Sequence, residues 1–411
     1  MNTLLLNITG HFGSTGKIVT DIRNTLIELG HGASIGYGHT EHIDELQYYS
    51  FCTPLEARTA SQFSKLGRAQ YKGSPFALGR IKDIIAKEKP DVVHIHCING
   101  HCVNIYALLK YLAENRIKTV ITHHAEFFYT GSCAHALECE RFITSKCVGC
   151  PRKRAATFNR IFASPSKDWQ RMYDAVNSFN NEDLIFTAVS QWVKERSLQS
   201  PIVSNYSCEV VLNGVDTKIF RFNPNSRYLF NRIKNRNNKI VLHVTHTFNP
   251  CDKTNIKGGS YVVELAQMMP NVTFVVIATD ASNLGTLPEN LCYWGKASSQ
   301  FELAQLYSGA DITLLTSKRE TFSMVTAESL CCGTPVVGFK AGGPESIAID
   351  EYCDFVEYGN MQTLCESITK CYGATYDKEV ISEIACNKYS REKMSTDYLT
   401  VYNHLLNKKI L

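Results

Sequence analysis

The sequence predicts an α/β protein built from two Rossmann-like, doubly wound domains. Two observations lead to this fold class. Short apolar, strand-like runs alternate with helical patterns along both halves of the chain, as expected for βαβ units. Between Phe220 and Lys239 the chain is instead polar, basic and rich in asparagine, and the strand-like pattern then restarts. We therefore predict a first domain over 1–220, a second domain over 239–388, and an amphipathic C-terminal helix within 389–411.

The composition is that of an ordinary globular protein and excludes several other classes. The 411 residues are enough for two or three domains, and the hydrophobic (44%) and charged (20%) fractions are typical. A formal net charge of +4 is too small to indicate nucleic-acid binding. No apolar run reaches the roughly 18 residues of a membrane span, and Met1 leads straight into the strand-like LLLNITG without a signal-peptide pattern. We therefore expect a cytoplasmic protein whose sixteen cysteines are mostly reduced.

One segment of the second half, residues 314–345, predicts a complete strand–loop–helix–strand unit. Glu320 stands at the junction of its strand and helix, and Glu328 follows eight positions later, about two helical turns on. Two carboxylates on one helical side can bind sugar hydroxyls and a ribose, while the backbone N–H groups of 321–324 face a phosphate. Acidic residues at this spacing are also common on solvated helix surfaces, so both interpretations remain open.

Two glycine-containing turns can bring backbone N–H groups close to a phosphate. The turn in the first half lies between the first strand and the first helix and consists of Gly13, Ser14, Thr15 and Gly16. It is not a Walker A loop, because the glycine spacing differs and no Ser or Thr follows the lysine. In the second half, Lys257 and Gly258 precede a predicted helix and would aim a cation and free N–H groups at the same kind of ligand. Ordinary surface turns that bind no ligand would show the same two patterns.

Histidines mark the ends of two predicted strands in the first half. His94 and His96 alternate by two within DVVHIH and therefore share one face. The strand TVIT delivers His123 and His124 to the edge of the sheet. A histidine at this edge can hydrogen-bond a bound sugar or donate to a departing phosphate, but a histidine satisfied by loop backbone fits equally well.

A cysteine-rich insertion is predicted near residues 131–151. Its four cysteines are Cys133, Cys139, Cys147 and Cys150, and the last two form a Cys-x-x-Cys knuckle. Four thiolates in a compact segment match a structural zinc site, with His135 as a substitute ligand. Four buried thiols or two disulfides are the alternatives, and the expected reducing compartment argues against disulfides.

A basic segment between residues 57 and 89 mixes cations with apolar residues. Its cations are Lys65, Arg68, Lys72, Arg80, Lys82, Lys87 and Lys89. A solvated basic surface is the simpler interpretation of this composition. A face that rests on anionic lipid is the alternative.

Taken in order, the motifs of the second half resemble the retaining glycosyltransferases of family four, whose architecture is called GT-B. The matching features are Glu320, seven intervening residues, Glu328, and then CCGTPVVGF and GGPE. Lys257 with its glycine and the NGVD at 213–216 match as well. The order and spacing of these motifs together are far more specific than any one of them.

The first half is more narrowly similar to the members of that family that build colanic acid and capsular polysaccharides. The shared features are GSTG at 13–16, DVVHIH at 91–96, His124, TGSC at 130–133 and CVGCP at 147–151.

The resemblance implies two domains that face each other across a cleft, with the C-terminal helix crossing back to the first domain. It implies transfer of a sugar from a nucleotide-diphosphate donor to a hydroxyl of a saccharide or lipid-linked saccharide, with retention of anomeric configuration. The expected setting is cell-surface polysaccharide biosynthesis in the cytoplasm, with peripheral contact at the inner face of the membrane. No cofactor is expected to be required for catalysis, in line with the lack of an Asp-x-Asp motif.

The resemblance also assigns roles to residues of the second domain. Glu320 is expected to bind hydroxyls of the transferred sugar, and Glu328 to bind the donor ribose. The ammonium of Lys257 and the backbone N–H groups of Phe322 and Ser323 are expected near the diphosphate. The family's usual arginine is missing before the Lys-Gly pair, so Lys253 is a candidate for the second cation.

In the first domain, the resemblance places His124 beside the transferred sugar and the departing phosphate, with the loop at 13–16 closing over the phosphates. The family usually has an aspartate after this histidine, but here Ala125 follows, and Glu126 is a candidate replacement. Together with the missing arginine, this departure motivates a second hypothesis, a catalytically weak nucleotide-sugar-binding or scaffold protein on the same fold.

Overall fold

The structure, a computed structural model, describes residues 1–38, 43–66, 71–153, 163–233 and 238–407. The chain forms two compact units. The first consists of Met1–Leu212 together with Met394–Leu411, and the second is Asn213–Lys393. No helix of the described residues is both long enough and apolar enough to cross a membrane.

The division between the units falls a few residues before the predicted break at 220. The reason is a pair of contacts that tie this stretch to the end of the second unit. The N–H of Val215 donates to the carbonyl of Tyr389 (2.7 Å), and Arg391 Nη1 donates to Asp216 Oδ2 (3.0 Å). The NGVD motif therefore begins the second unit.

The first unit is built on a seven-stranded sheet in the order β3-β2-β1-β4-β5-β6-β7, and all of its strand pairs are parallel. Its strands are β1 Asn2–Asn7, β2 Gly32–Tyr37, β3 Tyr48–Ser50, β4 Val92–Ile95, β5 Thr119–His123, β6 Leu184–Ala188 and β7 Cys208–Val210. Its helices are α1 Gly13–Glu28, α2 Pro54–Leu66, α3 Ala77–Glu88, α4 Ile105–Glu114, α5 Phe127–Thr130, α6 Arg141–Thr144, α7 Pro165–Val176 and α8 Gln191–Leu198. A 3₁₀ turn covers Asn181–Asp183.

The second unit is built on a six-stranded parallel sheet in the order β10-β9-β8-β11-β12-β13. Its strands are β8 Lys239–Phe248, β9 Val272–Ala281, β10 Leu291–Gly295, β11 Ile312–Leu315, β12 Val336–Phe339 and β13 Cys353–Val356. Its helices are α9 Gly259–Met268, α10 Gln300–Gly309, α11 Met324–Cys331, α12 Gly343–Ile347, α13 Met361–Gly373 and α14 Lys378–Tyr389, and 3₁₀ turns cover Pro224–Arg232 and Asp350–Tyr352.

The strand orders place one switch point in each sheet. In the first sheet, β1 to β3 are laid down in one direction and β4 to β7 in the other, so the order reverses between β1 and β4. The second sheet reverses in the same way between β8 and β11. In open parallel sheets, ligands bind beyond the carboxyl ends of the strands at such a point. Ligand-binding residues are therefore expected in the segments that follow β1, β4, β8 and β11.

The last helix, α15 (Arg391–Leu405), packs onto the core of the first unit although it follows the second in the chain. The buried side chains that it contributes are Met394, Tyr398, Val401, Tyr402 and Leu405. Burying one large apolar side chain contributes about 1.5–3 kcal/mol to folding. The prediction of an amphipathic C-terminal helix that crosses back to the first domain is confirmed.

The predicted basic segment is divided between α2 and α3. Lys72 and Lys82 are exposed. Arg80 forms a bidentate salt bridge with Glu56 on α2 (2.7 and 2.8 Å). Arg68 and the side chain of Lys65 lie outside the described residues.

Candidate active site

Glu320 lies in the loop between β11 and α11, and a second loop holds its backbone in place. Its N–H donates to the carbonyl of Ala341 (3.0 Å), and its carbonyl accepts from the N–H of Gly343 (2.9 Å). A Cβ atom on Gly343 would lie 2.4 Å from the carbonyl carbon and oxygen of Thr321, so the close approach of the two loops requires glycine there. The GGPE motif therefore fixes the position of Glu320 at the switch point.

The carboxylate of Glu320 is bonded to the ammonium of Lys257. Lys257 Nζ donates to Glu320 Oε1 at 2.7 Å, and the two side chains are 34% and 19% exposed. Gly258 has a φ of +69°, and a Cβ there would lie 2.3 Å from the carbonyl oxygen of Thr316. Thr316 Oγ1 in turn donates to the carbonyl of Lys257 (2.9 Å). The Lys-Gly turn is thus fastened to the end of β11, which brings the two predicted ligand residues together.

The helix α11 begins with Ser323 as its N-cap. Ser323 has a φ of +82°, and its Oγ accepts from the N–H of Thr326 (3.2 Å). The neighbouring Phe322 is 2% exposed, and its ring lies edge-on to Tyr389 with centroids 6.5 Å apart. The buried ring and the cap hold the first turn of the helix next to the loop of Glu320. A helix N-terminus held in this way favours an anionic ligand.

Glu328 lies on α11, half-buried, with a tyrosine as hydrogen-bond donor. Tyr307 on α10 donates its hydroxyl to Glu328 Oε2 (3.3 Å). Burial, followed by the nearby carboxylate, raises the pKa of Tyr307 well above its usual value, so the phenol keeps its proton and remains a donor. Lys253, the candidate second cation, is exposed in the loop before Lys257.

The glycine-containing segment at 13–16 is the first turn of α1, whereas the sequence predicts it as part of the loop before the helix. The loop itself lies before this turn, and hydrogen bonds of the buried Asn7 hold it in place. Asn7 was not identified from the sequence. Asn7 Nδ2 donates to the carbonyl of Thr9 (2.9 Å), and Asn7 Oδ1 accepts from the N–H of Cys97 (3.2 Å). A Cβ on Gly16 would lie 2.8 Å from Thr9 Oγ1, so this glycine lets the loop close onto the helix. An asparagine at the end of a buried strand, next to a glycine-rich turn, is the signal that could have identified it.

Three histidines of the first unit form one connected group at the carboxyl ends of β4 and β5. His96 Nδ1 and His124 Nε2 lie 2.9 Å apart, and the rings of His94 and His96 lie 3.9 Å apart between centroids. The second distance confirms that His94 and His96 share one face. Burial lowers the pKa of His124 to about 4 and that of His94 and His96 well below 6.5. All three rings are therefore neutral near pH 7.

The suggestion that Glu126 replaces the family's aspartate does not fit its contacts. Glu126 is buried, its Oε2 accepts from the N–H of Ala136, and its Oε1 lies 3.5 Å from Arg196 Nε. Its carboxylate therefore organises the cysteine-rich insertion. The ring of His124 is instead hydrogen-bonded to His96.

The four cysteines of the insertion influence one another electrostatically. Burial raises the pKa of Cys133 and of Cys147 to about 12, and the neighbouring thiols, including Cys150 and Cys139, add to both shifts. Within the ranges that the structure describes, no group of three or more His, Cys, Asp or Glu side chains is arranged to hold a metal ion. The zinc site stays a prediction from the sequence.

A buried histidine of the second unit was not predicted as part of the site. His243 on β8 donates from Nδ1 to the carbonyl of Leu314 on β11 (3.1 Å), across the switch point. Burial lowers its pKa to about 4, and the charge of Lys257 adds to the shift. His243 is therefore a neutral ring that links β8 to β11 at the switch point.

Two parallel α/β units, each with a switch point in its sheet, are the architecture of the GT-B fold. Two family models match the chain in agreement with this architecture. The model described as Glycosyltransferase Family 4 matches residues 16–219, and the model described as Glycosyl transferases group 1 matches residues 278–383. Together with the fold, these matches support a glycosyltransferase.

Individual relatives agree with this class. The chain is 21% identical over 409 residues to N-acetyl-alpha-D-glucosaminyl L-malate synthase of Bacillus anthracis, covering 96% of this chain and 94% of that protein. It is 33% identical over 101 residues to D-inositol 3-phosphate glycosyltransferase of Segniliparus rotundus, which is 21% of this chain and 22% of that one.

Solved structures share the fold over nearly the whole chain. HepE of Anabaena in complex with UDP superposes with a TM-score of 0.67 at 17% identity, covering 98% of this chain and 99% of that one. Sucrose-phosphate synthase of Thermosynechococcus elongatus superposes with a TM-score of 0.67 at 14% identity, covering 99% of this chain and all (100%) of that one. At these identities the likeness establishes the fold alone.

Proposed function

We propose that the chain transfers a sugar from a nucleoside diphosphate donor to an acceptor hydroxyl, with retention of anomeric configuration. The observation that carries the proposal is the Lys257–Glu320 pair (2.7 Å) at the switch point of the second sheet. The pair supplies an ammonium and a carboxylate in the loops that precede α9 and α11. The structures of HepE with UDP and with UDP-glucose support a donor of this class.

In this proposal the second unit binds the donor. Glu320 accepts hydrogen bonds from the sugar hydroxyls, Lys257 and the N–H groups of Phe322 and Ser323 bind the diphosphate, and Glu328 binds the ribose. Lys253 supplies a second cation from its exposed loop. Fixed charges and a helix N-terminus stabilise the charge that develops on the departing diphosphate, so a divalent metal is not required for the reaction.

The first unit contributes His124 and the turn at 13–16. The bond between the anomeric carbon and the diphosphate oxygen breaks with its electron pair on that oxygen, and the acceptor oxygen bonds to the same face of the sugar. The acceptor proton passes to the departing phosphate. His124, neutral at pH 7, donates a hydrogen bond to the transferred sugar or to the departing phosphate.

We further propose that the acceptor is a saccharide or lipid-linked saccharide of cell-surface polysaccharide assembly, used at the inner face of the membrane. An apolar cavity of about 330 Å³ between α2 and the turn at 72–76 supports membrane contact. Phe63 and Phe76 line it and are 74% and 63% exposed, and the exposed Lys72 also lines it. Aromatic rings beside a cation match the apolar chains and anionic phosphates of a lipid surface.

Donor turnover tests the proposed reaction. A panel of nucleoside diphosphate sugars is first screened for thermal stabilisation, since a ligand that binds only the folded chain raises its melting temperature. The stabilising donor is then incubated with candidate acceptors, and the anomeric configuration of the product is read by NMR. Transfer with retention is expected. Tight binding without transfer or donor hydrolysis would instead favour the scaffold hypothesis, and an inverted product would reject retention.

Vesicle sedimentation tests the membrane contact separately. The full chain is expected to sediment with vesicles that contain anionic phospholipid and not with neutral ones. Substituting Phe63→Ser and Phe76→Ser should abolish sedimentation. Phe301→Ser, which removes an aromatic ring of similar exposure (60%) from the second unit, should leave it unchanged. Equal sedimentation of all variants would exclude this surface.

A further inference from the structure

The ring of His124 is hydrogen-bonded to a second histidine, His96, which is completely buried. His96 has no exposed surface, and its Nδ1 lies 2.9 Å from Nε2 of His124, with the two rings stacked at 24°. Two neutral imidazoles share one hydrogen bond only if one nitrogen carries the proton and the other does not. The identity of the donor therefore decides where His124 carries its own proton.

The other nitrogen of His96 identifies the donor. His96 Nε2 is buried and has no hydrogen-bond partner among the described residues. If the proton of His96 were on Nε2, a buried N–H group would be orphaned, which is rare in native proteins; an unsatisfied acceptor is tolerated more readily. The proton of His96 therefore belongs on Nδ1, so His96 donates and His124 Nε2 accepts.

Further contacts hold His96 in this orientation. Both nitrogens of its neighbour His94 are hydrogen-bonded: Nδ1 lies 2.7 Å from the hydroxyl of Tyr402, and Nε2 lies 2.7 Å from Oγ1 of Thr122. The fixed His94 ring lies 3.9 Å from the His96 ring. Because Tyr402 comes from α15, the C-terminal helix contributes to the support of the histidine group.

We propose that His96 is a positioning residue that keeps the proton of His124 on Nδ1, which makes Nδ1–H the donor of the His124 ring. The catalytic consequence rests on the proposed transfer reaction, because His124 has a role only if a sugar donor is bound. The tautomer itself does not depend on that reaction. Carboxylates do the same for catalytic histidines elsewhere, by fixing which ring nitrogen bears the proton.

Two substitutions at one position separate positioning from packing. In His96→Asn the side-chain amide N–H stands where Nδ1 of histidine stood, so the donor to His124 is kept. In His96→Gln the amide reaches the position of Nε2 instead, and the donor to His124 is lost. Both variants place an amide in the same buried site, which makes them a matched pair for stability.

The test is NMR of the full chain labelled with ¹⁵N-histidine, together with kinetics. His124 is expected as the Nδ1–H tautomer in the wild type and in His96→Asn, and as Nε2–H or a mixture in His96→Gln. His96→Gln should lose roughly 10- to 100-fold in kcat with little change in the KM for the donor, as for other lost orienting contacts, and His96→Asn should retain most of kcat. An Nε2–H tautomer in the wild type, or equal tautomers in the two variants, would overturn the assignment. A chain with the Nδ1–H tautomer but no transfer would reject the proposed function and leave the assignment of the tautomer to His96 intact.

Discussion

Lys257 Nζ lies 2.7 Å from Glu320 Oε1, so two residues that the sequence assigns to different parts of a donor form one ion pair. An ammonium has three donors and a carboxylate has two oxygens. The pair therefore leaves N–H groups of Lys257 for a diphosphate and a carboxylate oxygen of Glu320 for sugar hydroxyls. Each residue also orients the other, so in the proposed reaction the pair would couple recognition of the sugar to recognition of the phosphates.

We predict that Glu320→Gln and Lys257→Ala each reduce kcat with the identified donor by about 10²–10³-fold, the range for loss of one fixed electrostatic contact to a transition state. The double variant should lose less than the product of the two single losses, because residues that act as a unit are not additive. Initial rates at saturating donor measure all three variants. Full activity of Glu320→Gln would rule out this site.

The control for this series is a second Lys–Glu pair of the same unit. Lys340 and Glu357 pair at the surface, with exposed side chains. Glu357→Gln should leave kcat unchanged. Because exposed pairs contribute about 0–1 kcal/mol to stability, this variant should also show only a small shift in the urea midpoint. A loss of activity in Glu357→Gln would show that the assay responds to charge in general.

We predict that Glu328→Gln acts mainly on donor binding. The ribose is remote from the reacting carbon, and an interaction that is equally strong in the ground and transition states changes KM without changing kcat. Tyr307→Phe removes the hydroxyl that donates to Glu328 (3.3 Å) and should raise KM by a smaller factor. Steady-state kinetics with the identified donor, with Kd for the free nucleoside diphosphate as a second readout, measure both. A larger loss in kcat than in KM would place Glu328 at the chemistry instead.

The fold could be predicted because its physical signals are local. The strands of a parallel sheet are buried on both faces, so β1, β5 and β12 are short apolar runs that can be recognised one at a time. The terminal helix has its own periodicity. The three-residue edge strand β3 (Tyr48–Ser50) has too few residues for any periodicity, and the sequence did not indicate it.

The contacts within the site could not be predicted in the same way. Lys257 and Glu320 are 63 residues apart, and His96 and His124 are 28 apart. Such pairs depend on the path of loops, which is set by close approaches such as that of Gly343 to Thr321. Sequence motifs could indicate which residues matter, whereas their bonding partners required three-dimensional geometry.

We predict about one zinc ion per chain on elemental analysis of protein purified without chelator. The sequence places Cys133, Cys139, Cys147 and Cys150 close together, and four cysteines are the ligand number of a structural zinc site. Cys147→Ser with Cys150→Ser should remove the metal and lower the melting temperature. Cys251→Ser, which changes an exposed cysteine of the second unit, should retain the metal. A folded, metal-free wild type would reject zinc and leave four buried or half-buried thiols.

We predict that the chain loses stability steeply as the pH falls from about 6.5 to 5. Burial lowers the pKa of His123 to about 3, that of His124 and His243 to about 4, and that of His94 and His96 well below 6.5. An unfolded histidine has a pKa near 6.5. Below that pH the unfolded chain binds protons that the folded chain does not, so stability rises with pH through this window. Each such histidine contributes up to about 1.4 kcal/mol per pH unit.

A substitution of His123 tests this prediction at a single histidine. Its ring stacks on Phe186 (centroids 4.9 Å apart, 11° between planes), and neither ring nitrogen has a partner in the described chain. His123→Phe keeps the stack and removes the titration, so the slope of the urea-derived unfolding free energy against pH should fall by about one proton between pH 5 and 6. Equal slopes in the wild type and His123→Phe would mean that His123 is protonated in the folded protein, which would contradict its burial as a neutral ring.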